Sequence, residues 1–195
     1  MDETRQTFLD ELYAHGRAHD EQREDRLQRL RNVEPETAEL LGVLVRAMNA
    51  NRVLEIGTSN GYSTIWLGDA AEAVGGTVLS LEIEADRTAQ ATENVAEAGV
   101  GEFVELRTQD AAEALRSFAD GAFDLIFLDA ERPYYTGYWP DLIRALRPNG
   151  LLVVDNTLSH SKDLVEFSEL VYSDPAVTST LVTVGAGVML IVKSP

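Results

Sequence analysis

The sequence has no cysteine, which excludes disulfides, thiolate nucleophiles and thiolate metal sites together. Lysine is nearly as scarce, present only at Lys162 and Lys193, and the three histidines, His15, His19 and His160, show no metal-ligand spacing. No apolar run approaches the ~20 residues of a membrane-spanning helix. The first ten residues are polar and acidic, unlike a signal peptide, so a cytoplasmic protein without membrane contact is expected. Positive charge is the remaining shortage: 16 Lys and Arg face 33 Asp and Glu, a formal net charge of −17. A surface this acidic repels phosphate backbones and anionic lipid, which argues against a nucleic-acid partner.

What the chain does have is enough apolar sequence, 45% of 195 residues with no internal repeat, to bury one full-sized core. A single domain, residues 1–195, is expected, with a helical arm at 1–31 and a core at 32–195. Phe8, Leu9, Leu12 and Tyr13 recur at helical spacing, so the arm should hold one or two amphipathic helices that pack on the core or form a dimer contact. The charge run from His19 to Arg26 reads as a solvated helix face. Pro35, in the first turn of a helix that runs through Met48, opens the core.

The stretch Arg52 to Thr64 organises the rest. Val53, Leu54 and Ile56 form a strand, Gly57 to Gly61 a tight loop, and Ile65, Trp66, Leu67, Ala70 and Ala71 the face of a following helix. Such a loop brings backbone amides and the positive helix end against a ligand. Ser59 stands where a dinucleotide-binding loop needs its second glycine, so a pyrophosphate is disfavoured. The next strand, Thr77 to Glu82, ends in an acid beside that loop, placed to accept both hydroxyls of a ribose. A third strand around Phe103 to Arg107 leads to Asp110, which either meets an adenine amino group or caps the helix starting at Ala111; both roles can coexist.

Two further buried strands, Phe123 to Leu128 and Leu151 to Val154, run into Asp129 and into Asp155-Asn156, and between them Asp141 to Leu146 reads as a helix closed by Arg147-Pro148-Asn149-Gly150. Acids at strand ends often serve only as caps. Two carboxylates and an amide oxygen at one sheet edge would equally suit a hard cation, Mg²⁺ before Mn²⁺ or Ca²⁺. The C-terminal Ala176–Val184 and Val188–Val192 segments, joined by Gly185-Ala186-Gly187, read as a closing hairpin.

Leu54-Glu55-Ile56-Gly57-Thr58-Ser59-Asn60-Gly61-Tyr62-Ser63, followed by Leu81-Glu82-Ile83-Glu84, resembles the S-adenosylmethionine site of class I methyltransferases, specifically the cation-dependent catechol and caffeoyl-CoA O-methyltransferases. The resemblance covers roughly residues 30–193. It implies an α/β, Rossmann-like fold with a seven-stranded, mostly parallel sheet, an antiparallel last strand and helices on both faces. It implies methyl transfer from S-adenosylmethionine to a small molecule with adjacent hydroxyls, in a homodimer. It places Val33, Glu55, Gly57, Thr58, Ser59, Gly61, Tyr62, Ser63, Glu82, Ile83, Asp110, Ala111 and Asp129 around the cofactor, and makes Asp129, Asp155 and Asn156 metal ligands through the matching Leu128-Asp129-Ala130 and Val154-Asp155-Asn156 motifs. Tyr135 and Tyr138 match substrate-side tyrosines. The family's general-base lysine is Arg132 here, which cannot take a proton, and Ser159 replaces a frequent tryptophan. Asp129 and Arg132 are the catalytic candidates, with Arg132 also an anchor for an ionised or acidic substrate. Two alternatives stand beside this reading: metal-independent transfer to a small molecule, and a non-catalytic S-adenosylmethionine-binding module. A base pocket of the Asn/Asp-Pro-Pro-Tyr type is absent, since Asp129-Ala130-Glu131-Arg132 stands in its place.

Overall fold

A computed structural model describes residues 1–195. Seven strands, β1 (Arg52–Ile56), β2 (Thr77–Glu82), β3 (Val104–Thr108), β4 (Phe123–Leu128), β5 (Leu146–Val154), β6 (Val177–Val182) and β7 (Val188–Lys193), form one sheet in the order β3-β2-β1-β4-β5-β7-β6. All neighbours are parallel except β7, which runs against both β5 and β6.

Period-2 alternation explains how the continuous apolar runs serve two cores at once. Leu125 and Phe127 of β4 and Leu151 and Val153 of β5 face one side. Ile126, Leu128, Leu152 and Val154 face the other. The first side is covered by α1 (Glu3–Glu21), α2 (Pro35–Met48), α3 (Tyr62–Val74) and part of α4 (Ala85–Glu97). The second is covered by α5 (Ala111–Ser117), α6 (Tyr135–Ala145) and α7 (Val165–Ser173). β4 is buried along its whole length, as a central parallel strand must be.

The arm is one long helix capped by Asp2, whose side chain accepts from the Arg5 amide (2.8 Å), followed by a single 3₁₀ turn at Arg26–Gln28. Arg5 anchors α1 to α3 through Asp69 and Glu72, and Arg46 reaches the same Asp69. Three details depart from the sequence expectation. β5 begins at Leu146 because the Arg147–Gly150 segment bulges within the strand, with Asn149 at φ +58°, instead of ending a helix. α6 begins at Tyr135, well ahead of Asp141. α7, held by Leu164, Phe167 and Val171, was not anticipated.

The strand order reverses direction between β1 and β4, and ligands of open α/β sheets bind at the carboxyl edge of that switch point. The tips there are fastened together by hydrogen bonds just beyond the strands. Gly57 N donates to Leu81 O (2.9 Å), Asp129 N to Ile56 O (3.0 Å) and Asp155 N to Leu128 O (3.2 Å).

Candidate active site

A cavity of about 900 Å³ opens over these tips, walled by the β1 loop, the ends of β2, β4 and β5, and residues 26–34 of the arm. Of the residues singled out from sequence, Val33, Gly57, Thr58, Ser59, Tyr62, Ser63, Glu82, Ile83, Asp129, Arg132, Asp155 and Asn156 line it. Gly61 lies just behind the wall, at φ +88° and packed on Ala91, where it starts α3.

Glu55 is brought to the loop but not to the cavity. It is fully buried under the loop, and its carboxylate accepts from Ser63 (2.6 Å), Thr64 (2.5 Å) and Ser80 (2.6 Å). Desolvation outweighs those three bonds and pushes its carboxyl up to about 7. Glu55 therefore shapes the loop from beneath. Asp110 caps α5 by accepting from Glu113 N (3.0 Å), and neither it nor Ala111 reaches the cavity wall.

Glu82 is buried with both oxygens held by backbone amides: Oε2 by Ser59 (2.8 Å), Oε1 by Ile83 (3.0 Å) and Glu84 (3.1 Å). Oε2, with a single donor, keeps a second lone pair for a ligand hydroxyl, and the amides hold the carboxylate still. Ser59, in the left-handed region at φ +51°, ties the loop to the arm by donating from Oγ to Leu30 O (2.6 Å).

At the β4 and β5 tips the Asn156 amide donates to Asp129 Oδ1 (3.1 Å) and Asp155 Oδ2 (2.9 Å), and Asn156 itself sits at φ +62°. Asp155 Oδ1 is buried with no partner. Burial raises both carboxyls above the ordinary range, Asp155 additionally through the charge of Asp129, while Arg31 and Arg132 partly offset the rise at Asp129. Two close, desolvated carboxylates with an unused oxygen fit a cation: the repulsion and the orphaned lone pair are both relieved by positive charge between them. No group of three His, Cys, Asp or Glu side chains is placed to hold a metal ion, so a cation here would need the amide oxygen of Asn156 as its third protein ligand. That requires the Asn156 amide to turn over from the orientation that bridges the two carboxylates.

Tyr135 is buried behind this edge, its hydroxyl accepting from Ala130 N and donating to Ala130 O (3.0 Å each), so it fixes the loop that carries Asp129. Tyr138 is buried in the second core, stacked near Tyr134 (6.1 Å) and away from the cavity wall.

Sequence reasoning missed the wall contributed by the arm. Only the first residues of the charged run lie in α1; the rest, from Gln22 to Arg26, is exposed as expected but outside the helix, and Arg23 and Arg26, with Arg29 and Arg31 beyond the run, line the cavity. Asp20 accepts from Leu30 N (2.7 Å) and Arg31 N (2.8 Å), Arg87 donates to Leu27 O (2.6 Å), and Arg31 pairs with Glu131 (2.7 Å) across the opening. The approximate three-residue spacing of those arginines was the only available signal. His160 also lines the cavity, its Nδ1 2.9 Å from Ser159 Oγ, and burial with the nearby Arg132 and Arg26 charges lowers its pKa.

A family model described as O-methyltransferase matches residues 17–194. Catechol O-methyltransferase of Niastella koreensis is 36% identical over 149 residues, which is 75% of this chain and 65% of that protein. This chain thus matches slightly less than two thirds of that relative's length. Among solved structures, the O-methyltransferase TomG from Streptomyces achromogenes, involved in tomaymycin synthesis and in complex with SAM, superposes with TM-score 0.80 at 29% identity, covering 100% of this chain and 91% of its own. An O-methyltransferase from Bacillus cereus in complex with SAH superposes with TM-score 0.79 at 27% identity, covering 96% and 91%.

Proposed function

Given that the chain belongs to the O-methyltransferase family, we propose that it transfers the methyl group of S-adenosylmethionine to a hydroxyl of a small catechol-like molecule, using a divalent cation. One observation carries this reading: the β1 loop, Glu82, and the Asp129–Asp155–Asn156 set open into a single cavity at the switch point of the sheet. A nucleoside holder and an oxygen-rich cation holder share one space, as transfer to a vicinal diol requires. The catechol O-methyltransferase name of the Niastella koreensis protein supports the acceptor class.

Methyl transfer from a sulfonium is an in-line displacement, so the chain must align donor and acceptor and exclude water. Glu82, pinned by three backbone amides, would receive the ribose hydroxyls. Gly57 and Ser59 let the loop backbone approach the ligand, and Ser63 stands at the start of α3, where backbone amides face it. Asp129, Asp155 and Asn156 would hold the cation, Mg²⁺ by the hardness of the donors. When bound there, it would acidify the acceptor hydroxyl and fix its orientation. Tyr135 keeps Asp129 in register through Ala130, and the Arg31–Glu131 pair ties the arm to the β4 loop at the cavity wall.

The Asn156 bridge between the carboxylates favours a second reading, metal-independent transfer, because it satisfies most of the set from within the chain. Turnover of a catechol with S-adenosylmethionine, followed by mass spectrometry of the product, decides both points. Methylation that EDTA abolishes and Mg²⁺ restores supports the first reading. A rate indifferent to EDTA selects the second, and binding of S-adenosylmethionine without product from any catechol refutes both.

A further inference from the structure

We infer that Arg132 is the subsite for a carboxylate carried by the methyl acceptor, so that the preferred acceptor is a dihydroxylated acid and not a neutral catechol; this rests on the transfer reading above. Arg132 is only 7% exposed, its Nε is sealed with no hydrogen-bond partner, and it takes part in no ion pair. The neighbouring Glu131 carboxylate is held by Arg31 (2.7 Å) and Arg26 (3.7 Å) instead. A buried guanidinium without a counter-ion is costly, and the cost is removed when a ligand supplies the anion.

The surroundings indicate where that anion sits. Arg132 lines the main cavity and also a second cavity of about 590 Å³ that continues past it, walled by Pro133, Thr136, Phe167 and Lys162. Arg132 thus lines the same cavity as Asp129 and Asp155 and borders further space outside it. Asp129 and Asp155 feel the Arg132 charge but form no hydrogen bond with it; Asn156 bridges one oxygen of each. With a cation on those two carboxylates, the carboxylate left near Arg132 is Glu131, which is already paired with Arg31 and Arg26. The planar fork of a guanidinium matches a carboxylate in a way the point charge of a lysine does not, so the residue that cannot serve as a base is suited to select an acid.

The test is calorimetric binding of protocatechuate and of its amide to the S-adenosylhomocysteine-loaded protein. The acid is expected to bind at least about tenfold tighter than the amide, the range for a charge-assisted bidentate contact. In Arg132→Met the ratio should fall to about one, and in Arg132→Lys to an intermediate value, since the charge survives without the fork. Equal affinities for acid and amide in the unmutated protein overturn the subsite without reference to any variant. A preference that persists in a folded Arg132→Met protein does so too. If both probes lose affinity equally in Arg132→Met, the arginine serves the hydroxyl oxygens and the subsite is likewise refuted. Methylation of the amide, with no preference for the acid, leaves the transfer reading standing while the subsite falls. Binding of neither probe refutes both.

Discussion

Gly57→Ala tests the close approach on which the site is built. Gly57 has φ +104°, a backbone state that L residues rarely enter, and a Cβ there would fall on the carbonyl oxygen of Asp129 and 2.9 Å from its carbonyl carbon. Those atoms are backbone, so neither can swing aside. The conformational part costs about 1–2 kcal/mol and the forced overlap about 1–3 kcal/mol more. The sum, about 2–5 kcal/mol, is a large share of the ~5–15 kcal/mol that holds a domain together. Gly75→Ala supplies the control, because Gly75 also has positive φ (+70°) but nothing lies within 4 Å of its added Cβ. It should show the conformational cost alone. Urea unfolding of both variants at equal m-value isolates the overlap as their difference, about 1–3 kcal/mol. The clash also pushes the β1 loop away from β4, so a folded Gly57→Ala protein should bind S-adenosylhomocysteine at least about tenfold more weakly in calorimetry. Equal stability losses at positions 57 and 75, with cofactor affinity unchanged, would show that the β1 loop and the β4 tip are not tightly apposed.

Asp155→Asn should lower turnover of a catechol at least about a hundredfold while S-adenosylhomocysteine affinity stays within about threefold, because Asp155 lies at the β5 tip and Glu82 at the β2 tip; a variant with full rate refutes the ligand assignment. Both tip carboxyls are raised by burial, so in the metal-free protein their ionisation becomes a growing liability as pH climbs above the ordinary carboxylate range. Added Mg²⁺ should therefore raise Tm more at about pH 8 than at about pH 6, and the increment should vanish in Asp155→Asn; a pH-independent increment refutes the site. Glu55 is neutral in folded and unfolded chains below its ordinary value of 4.5, but between there and about 7 only the folded chain keeps the proton. Stability is thus lost as pH rises through that window, by roughly 3 kcal/mol at completion. Unfolding of Glu55→Gln at about pH 5 and pH 8 should show a shallower fall than the unmutated protein, and parallel slopes would contradict a protonatable Glu55 beneath the loop.

The sheet, the tip acids and the β1 loop were legible because each depends on short-range pattern. A continuous apolar run ending in Asp129 or Asp155 already states that the strand is buried and where it stops. Glu55 was legible only as an acid near the loop. Its burial is set by Ser63 and Thr64 from α3 and by Ser80 from β2, three hydroxyls that no local spacing brings together. Tyr135 is similar: a match in type, turned inward to brace Ala130. α7 carries a helical spacing at Leu164, Phe167 and Val171, yet the segment also reads as a loop between two strands.

Net charge misled in a more instructive way. The value of −17 describes the surface at long range, where it opposes approach by polyanions. It says nothing of the cavity, where the arm folds back and Arg23, Arg26, Arg29, Arg31, Arg87 and Arg132 collect beside the tip acids. Four of those six arginines are committed: Arg31 and Arg26 to Glu131, Arg87 to the arm carbonyls of Leu27 and Arg29, and Arg29 to the carbonyl of Arg23. Within a few ångströms, pairing decides what a ligand meets, and screening removes the distant charges from consideration. An acidic protein can in this way turn away large anions by its overall field and still select a small one at a single unpaired, buried Arg132.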